Sequence, residues 1–248
     1  MSDAPFPASP ARRGVAEGVG TSLLLAAVVG SGIMAERLSG GNVGLALLAN
    51  AIATGAALVA LILTFGPISG AHFNPVVTLG AASEGSLGAE DVPYYLFAQL
   101  VGAVGGVAVA NLMFDLPVIS LSQHARHGTP QLLAEFVATF GLVSVICGCA
   151  RLQEPSVVAF AVGAYITAAY WFTSSTSFAN PAVTVARCLT DTFAGIRPVD
   201  VPGFVLAQLA GGGAGMALFQ WLAPNASAAP RADDAVAPSL KRTSGRQS

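Results

Sequence analysis

Six apolar stretches, each near the length of a bilayer-crossing helix, leave this chain few possible folds. A membrane-spanning helix needs about 20 mainly apolar residues. The stretches near Gly14–Ala35, Asn42–Phe65, Pro93–Phe114, Gln131–Ala150, Pro155–Phe172 and Pro202–Ala223 meet that requirement. Two further apolar segments, Asn74–Ala82 and Asn180–Leu189, are too short to cross. Only 10% of the 248 residues are Asp, Glu, Lys or Arg, whereas a soluble domain carries about 25%. With a mean hydropathy of +0.67, the chain lacks the polar groups to dress a water-facing surface. The expected fold class is an all-α integral membrane protein. Residues 1–13 and 224–248, rich in Ala, Pro, Ser and charge, are expected to be disordered tails flanking a membrane domain at 14–223.

Charge excludes some partners and suggests an orientation. Eleven basic and thirteen acidic residues make no field that would attract nucleic acid. Six spans place both tails on one side. That side would hold Arg12, Arg13, Arg151, Arg231, Lys241, Arg242 and Arg246, against Arg37, Arg126, Arg187 and Arg197 on the other. The excess predicts cytoplasmic termini in a multi-pass protein of the plasma (inner) membrane. Cys147, Cys149 and Cys188 lie in apolar stretches, with an odd count that fits no disulfide framework and no zinc spacing. They read as small buried hydrophobes.

The chain also repeats itself. Ser69–Leu79 reads Ser-Gly-Ala-His-Phe-Asn-Pro-Val-Val-Thr-Leu, and Ser175–Val185 reads Ser-Thr-Ser-Phe-Ala-Asn-Pro-Ala-Val-Thr-Val, 106 residues later. Glu17 and Glu135 stand early in the first span of each half, and Phe97–Gly106 echoes Leu206–Gly215. Each copy, at about 14–114 and 131–223, therefore runs span, span, short segment, span. Three spans are an odd number, so the second copy enters from the opposite face and the repeats are inverted.

The short segments carry the chemistry. Asn before Pro suits a helix start, with Asn as N-cap and Pro at the first position. With six Asn and fifteen Pro, chance expects about 0.4 such dipeptides if helix-start preference is ignored. Two occur, at equivalent points of inverted copies. Irregular backbone at membrane depth is tolerated only inside protein or along a wet cavity. Two half-helices entering from opposite faces would thus meet tip to tip near the midplane. Each N-terminus carries roughly +0.5 charge, a barrier to cations and to proton hopping. Asn74 and Asn180 can cap their own helices while offering amide N–H groups to a passing solute, a general device of channels and transporters.

These motifs resemble the aquaporin, or major intrinsic protein, family from about Gly14 to Ala223. The resemblance rests on the doubled box Asn74-Pro75-Val76 and Asn180-Pro181-Ala182, with Ser69-Gly70-Ala71-His72 before the first. It implies the aquaporin fold: a right-handed bundle of six tilted transmembrane helices and two re-entrant half-helices, assembled as a homotetramer. It also implies no cofactor, no metal and no enzymatic activity. By position, a ladder of pore-lining carbonyls would come from Gly70, Ala71, His72, Thr176, Ser177 and Phe178. Glu17 and Glu135 would brace the extended loops, and Gln99 and Gln208 would bond between helices. Gly102, Gly106, Gly211 and Gly215 read as ordinary close helix packing.

At the narrowest point the chain departs from the family, which usually places Arg directly after the second box. Here Val183 stands there. Counting along the matched segments, the other filter positions become Thr54, Ala168 and Ser177, all small and uncharged. Such a filter would be wide. Arg187 lies one turn beyond Val183, about 6 Å farther from the midplane. It is open to two readings, a cation at the outer mouth or a solvated or structurally paired side chain. The stretch from Asn180 to Gly195 is similar to that of a bacterial aquaglyceroporin subgroup linked to arsenic detoxification. The expected function is a passive channel for small uncharged solutes: glycerol-like polyols, metalloid hydroxides such as arsenite, and water. A mainly water-conducting pore is a second reading. A secondary transporter is a third, although Glu17 and Glu135 are placed to brace loops rather than to couple ions. His124 and His127 form only a feeble metal signal, and no nucleophile–base pair is visible on the spans.

Overall fold

The chain begins its first helix at a proline. Ser9 caps it by accepting a hydrogen bond from the Arg12 amide, and Pro10 occupies the first turn, where a missing N–H costs nothing. The computed structural model describes residues 8–152 and 155–223. It contains α1 (Pro10–Leu38), α2 (Val43–Ser69), α3 (Pro75–Ser83), α4 (Val92–Met113), α5 (Thr129–Leu152), α6 (Pro155–Phe172), α7 (Pro181–Arg187) and α8 (Val201–Leu222), with a single 3-10 turn at Pro198–Asp200. The expected N-terminal tail over 1–13 is therefore too long. Residues 10–13 are helical, and Arg13 pairs with Asp91 at 2.7 Å. The expected tail over 224–248 lies outside the described residues.

Among the described residues, five helices are long and apolar enough to cross a membrane. The remaining long helix, α6, has 18 residues, within the workable range for a span. Helices α3 and α7 have nine and seven residues, which at 1.5 Å per residue is less than half a bilayer core. Helix α2 runs past its expected end at Phe65, through Pro67, and stops where Gly70 adopts a left-handed conformation at φ 88°.

The inverted repeat is visible in the packing. Helix α1 packs along α4, α5 along α8, and α2 crosses α6 where the two halves meet. Half-helix α7 lies against α4 of the other half, and α3 touches α8. The halves thus exchange their short helices, and neither closes a core alone. Glycines permit the intimate contacts. A side chain on Gly102 would collide with the Gly18 backbone, and one on Gly211 with the Phe136 backbone. Both contacts fall within the chain, the ordinary helix packing expected of these glycines. The side chains of Leu23, Phe97, Phe160, Trp171, Leu206 and Trp221 are exposed on the outside of the bundle. A lipid-facing surface requires apolar groups there. Of the cysteines, Cys147 is buried as expected, while Cys149 and Cys188 are only half-buried.

Candidate functional site: two asparagine tips and a conduit

The half-helix tips meet inside the bundle. Asn74 Oδ1 accepts from the Val76 amide at 2.9 Å, and Asn180 Oδ1 accepts from the Ala182 and Val183 amides at 3.0 and 3.2 Å. Each asparagine therefore caps the helix it precedes. Each also reaches across: Asn74 Nδ2 donates to the Ala179 carbonyl at 2.8 Å, and Asn180 Nδ2 donates to the Phe73 carbonyl at 2.7 Å. Phe73 and Ala179 occupy matching places, so the exchange is reciprocal. One amide hydrogen on each asparagine is used in this way, which leaves the second for a solute.

The loops before the tips hold an unusual backbone. Gly70, Ala71 and Phe73 have φ of 88°, 49° and 49°, and their repeat equivalents Thr176, Ser177 and Ala179 have 61°, 50° and 48°. Left-handed conformations at non-glycine residues cost about 1–3 kcal/mol each. Buried carboxylates hold them in place. Glu17 accepts from the His72 and Phe73 amides at 2.9 and 2.7 Å, from Ser69 Oγ at 2.7 Å and from Gln99 Nε2 at 2.8 Å. Glu135 accepts from the Phe178 and Ala179 amides at 2.9 Å each and from Gln208 Nε2. Gln99 and Gln208 also donate to Thr78 and Thr184, which extends the same network into each half-helix. With the N–H groups drawn toward the carboxylates, the intervening carbonyls are free to face the other way.

They border a cavity of about 770 Å³ that runs from Glu84, Ala150 and Ser156 at one mouth, past Asn74 and Asn180, to Thr54, Val183 and Arg187. Gly70, Ala71, His72, Ser177 and Phe178 line it, as does Val76 behind the first tip. Thr176 does not. Its hydroxyl lies 3.5 Å from Arg126 Nη1, and Ala179 borders the cavity in its place. Pro75, Pro181 and Ala182 serve the helix starts and stand off the wall. His72 is fixed by a 3.1 Å contact from Nδ1 to Thr78 Oγ1 and packs on the Tyr95 ring.

Of the four expected filter residues, Thr54, Ser177 and Val183 line the cavity; Ala168 does not. Ala168 is exposed on the outer side of α6. The face of α6 turned inward is Val162, Ile166 and Tyr170, spaced by four, as one side of a helix requires. Tyr170 is the residue that counting missed. It is buried, and its hydroxyl lies 3.2 Å from Thr54 Oγ1. Counting back from Asn180 assumed an invariant link between α6 and the second loop. The every-fourth-residue apolar pattern was the signal that could have found Tyr170.

Arg187 is neither solvated nor paired with a carboxylate among the described residues. It is 2% exposed, its guanidinium carbon stands 3.4 Å from the Phe178 ring centroid, and Nε donates to the Ala194 carbonyl. Arg126, which carried no signal in the sequence, is buried beside it. Its guanidinium stands 4.9 Å from the same ring and donates to the Gly195 and Ser175 carbonyls at 2.8 and 3.1 Å.

Two half-helices joined tip to tip across inverted repeats, beside a cavity that passes both asparagines, match a family in sequence as well. The profile described as major intrinsic protein matches residues 7–156 and again 131–246. The chain belongs to the major intrinsic protein family. It is 56% identical over 211 residues to aquaglyceroporin AqpS of Rhizobium meliloti (strain 1021), covering 85% of this chain and 90% of that protein. It is 34% identical over 186 residues to a probable TIP-type aquaporin of Medicago truncatula, covering 69% and 72%. Among solved structures, the aquaglyceroporin from Plasmodium falciparum aligns with a TM-score of 0.66 over 89% of this chain and 98% of that one, at 20% identity. That likeness shows the aquaporin fold. Members of this family are membrane channels for water and small solutes, not enzymes.

Proposed function

We propose that this major intrinsic protein is a passive channel for small uncharged solutes: glycerol-like polyols, metalloid hydroxides such as arsenous acid, and water. The observation that carries the reading is the reciprocal asparagine exchange, Asn74 to the Ala179 carbonyl and Asn180 to the Phe73 carbonyl, set on the wall of the cavity. It leaves one donor per tip for a solute oxygen, while the carbonyls of Gly70, Ala71, His72, Ser177 and Phe178 supply acceptors that replace hydration. In this reading Glu17 and Glu135 brace the loops, and Thr54, Ser177 and Val183 form the filter with Tyr170. Val183 in place of the usual arginine leaves room for solutes wider than water. Arsenous acid, an uncharged polyol-like molecule at neutral pH, suits hydroxyls from Thr54 and Ser177. The similarity of the Asn180–Gly195 stretch to an arsenic-linked subgroup points the same way. The termini face the cytoplasm across the plasma membrane, and four chains assemble with one conduit each.

Stopped-flow light scattering on proteoliposomes tests this reading. Glycerol and arsenite flux should rise in proportion to concentration, without saturating, and should ignore an imposed proton gradient. Accumulation against a concentration gradient would replace the channel with a secondary transporter. Water flux without glycerol or arsenite flux would leave a water pore alone.

A further inference from the structure

The conduit has small uncharged side chains where the family usually places a cation, yet one guanidinium lies on its wall. We propose that Arg187 is the charge filter of this conduit, reaching back one turn along α7 to set its cation at the level of Val183, and that Ser177 Oγ completes a polar solute subsite with it. The inference rests on the channel reading above.

Helical side chains lean toward the N-terminus of their helix. A residue four positions after Val183 is one 5.4 Å turn farther along, on the same face, so a long side chain there leans back over Val183. The observed contact shows how far this one reaches. The Arg187 guanidinium stands against the ring of Phe178, a residue of the extended loop that precedes Asn180. Arg187 and Val183 both line the cavity. Its Nε is occupied by the Ala194 carbonyl, while Nη1 and Nη2 have no protein partner among the described residues. No carboxylate there neutralises it.

Ser177 supplies an independent sign of a ligand. It is 3% exposed, lines the cavity, and its Oγ has no hydrogen-bond partner. A buried hydroxyl left unpaired is costly, and a solute oxygen or water in the conduit would satisfy it. The mount is stiff. Arg126 donates to the Gly195 and Ser175 carbonyls, fixing the residue after Ala194, on which Arg187 leans, and the loop that carries Ser177. A guanidinium in a narrow, weakly screened passage repels cations while its free N–H groups donate to neutral oxygens. Absence of the usual arginine therefore widens this filter without stripping it of charge.

Urea and the guanidinium ion test this, because they share a shape and differ in charge. Wild-type proteoliposomes should pass urea and exclude guanidinium by at least a hundredfold. Arg187→Gln should keep urea flux within a few-fold and raise guanidinium flux by tenfold or more. Arg187→Lys should restore exclusion. Ser177→Ala should slow glycerol severalfold and leave guanidinium exclusion intact. Should Arg187→Gln fail to assemble, Val183→Glu serves instead, since a carboxylate at that level would pair with the cation and admit guanidinium. Guanidinium exclusion that survives in folded Arg187→Gln, or in Val183→Glu, overturns the inference, as does wild-type protein that passes both probes alike. Wild-type protein impermeable to urea and glycerol would instead defeat the channel reading itself.

Discussion

Val183 and Arg187 divide between them what a single residue does in most family members. Volume at the filter is set by Val183, and charge is brought from a turn away. Val183→Arg would place two guanidiniums in one passage. The added side chain should cut glycerol and arsenite flux at least tenfold while leaving water flux within a few-fold, in a permeability panel of water, glycerol, urea, arsenite and methylated arsenicals. Identical panels for variant and wild type would show that Val183 does not bound the filter. Glu135 offers a second test at this scale. It is fully buried and accepts two backbone amides. Charge-assisted hydrogen bonds contribute about 1.5–3 kcal/mol each, and a glutamine presents N–H where an acceptor is required. Glu135→Gln should destabilise the protein by about 2–4 kcal/mol in detergent unfolding curves, with solute flux lost as the loop relaxes. The residue that sequence reasoning misplaced, Ala168, failed because spacing was carried across a loop. The facing of α6 was written in Val162, Ile166 and Tyr170, and only the packed bundle shows which side of that helix meets the conduit.

At the scale of elements, close approach between helices is the controlling condition. Helices α1 and α4, and α5 and α8, meet where glycine backbone lies on backbone. In lipid no hydrophobic force drives helices together, so close van der Waals packing of small residues must do it. Gly211→Val would push Phe136 away and separate α5 from α8, which carry Glu135 and Gln208. Overpacking of this kind costs about 1–3 kcal/mol, and here it should also open the loop network. A lower unfolding temperature together with reduced glycerol flux is expected. Loss of stability without any change in flux would show that α8 does not hold the second loop in place.

The whole molecule is a pair of inverted halves whose short helices are exchanged. Arg151 donates to the carbonyls of Phe219 and Ala223 and pairs with Glu84, so the end of α8 and the end of α3 share one face. Arg37, bonded to the Phe114 carbonyl at 2.9 Å, belongs to the opposite face. The proposed orientation puts that second face outside. In a background with Cys147, Cys149 and Cys188 replaced by Ser, Leu38→Cys should react with a membrane-impermeant maleimide in intact cells. Glu90→Cys should react only after lysis. The reverse pattern would invert the topology.

The amino-acid order alone determined the membrane solvent, the count of spans, the inverted repeat and the two asparagine tips. Those follow from local quantities: apolar run length, the parity of three spans, and residues that cap a helix from its own end. The tertiary structure decided which side of α6 faces the conduit and that Arg126 stands behind the second loop. It also placed Arg187 on the wall without a counter-charge among the described residues. Each depends on how a side chain from one element meets another far along the chain. Rotation of a helix about its axis, and the reach of a long side chain, are settled only when neighbouring surfaces close around them.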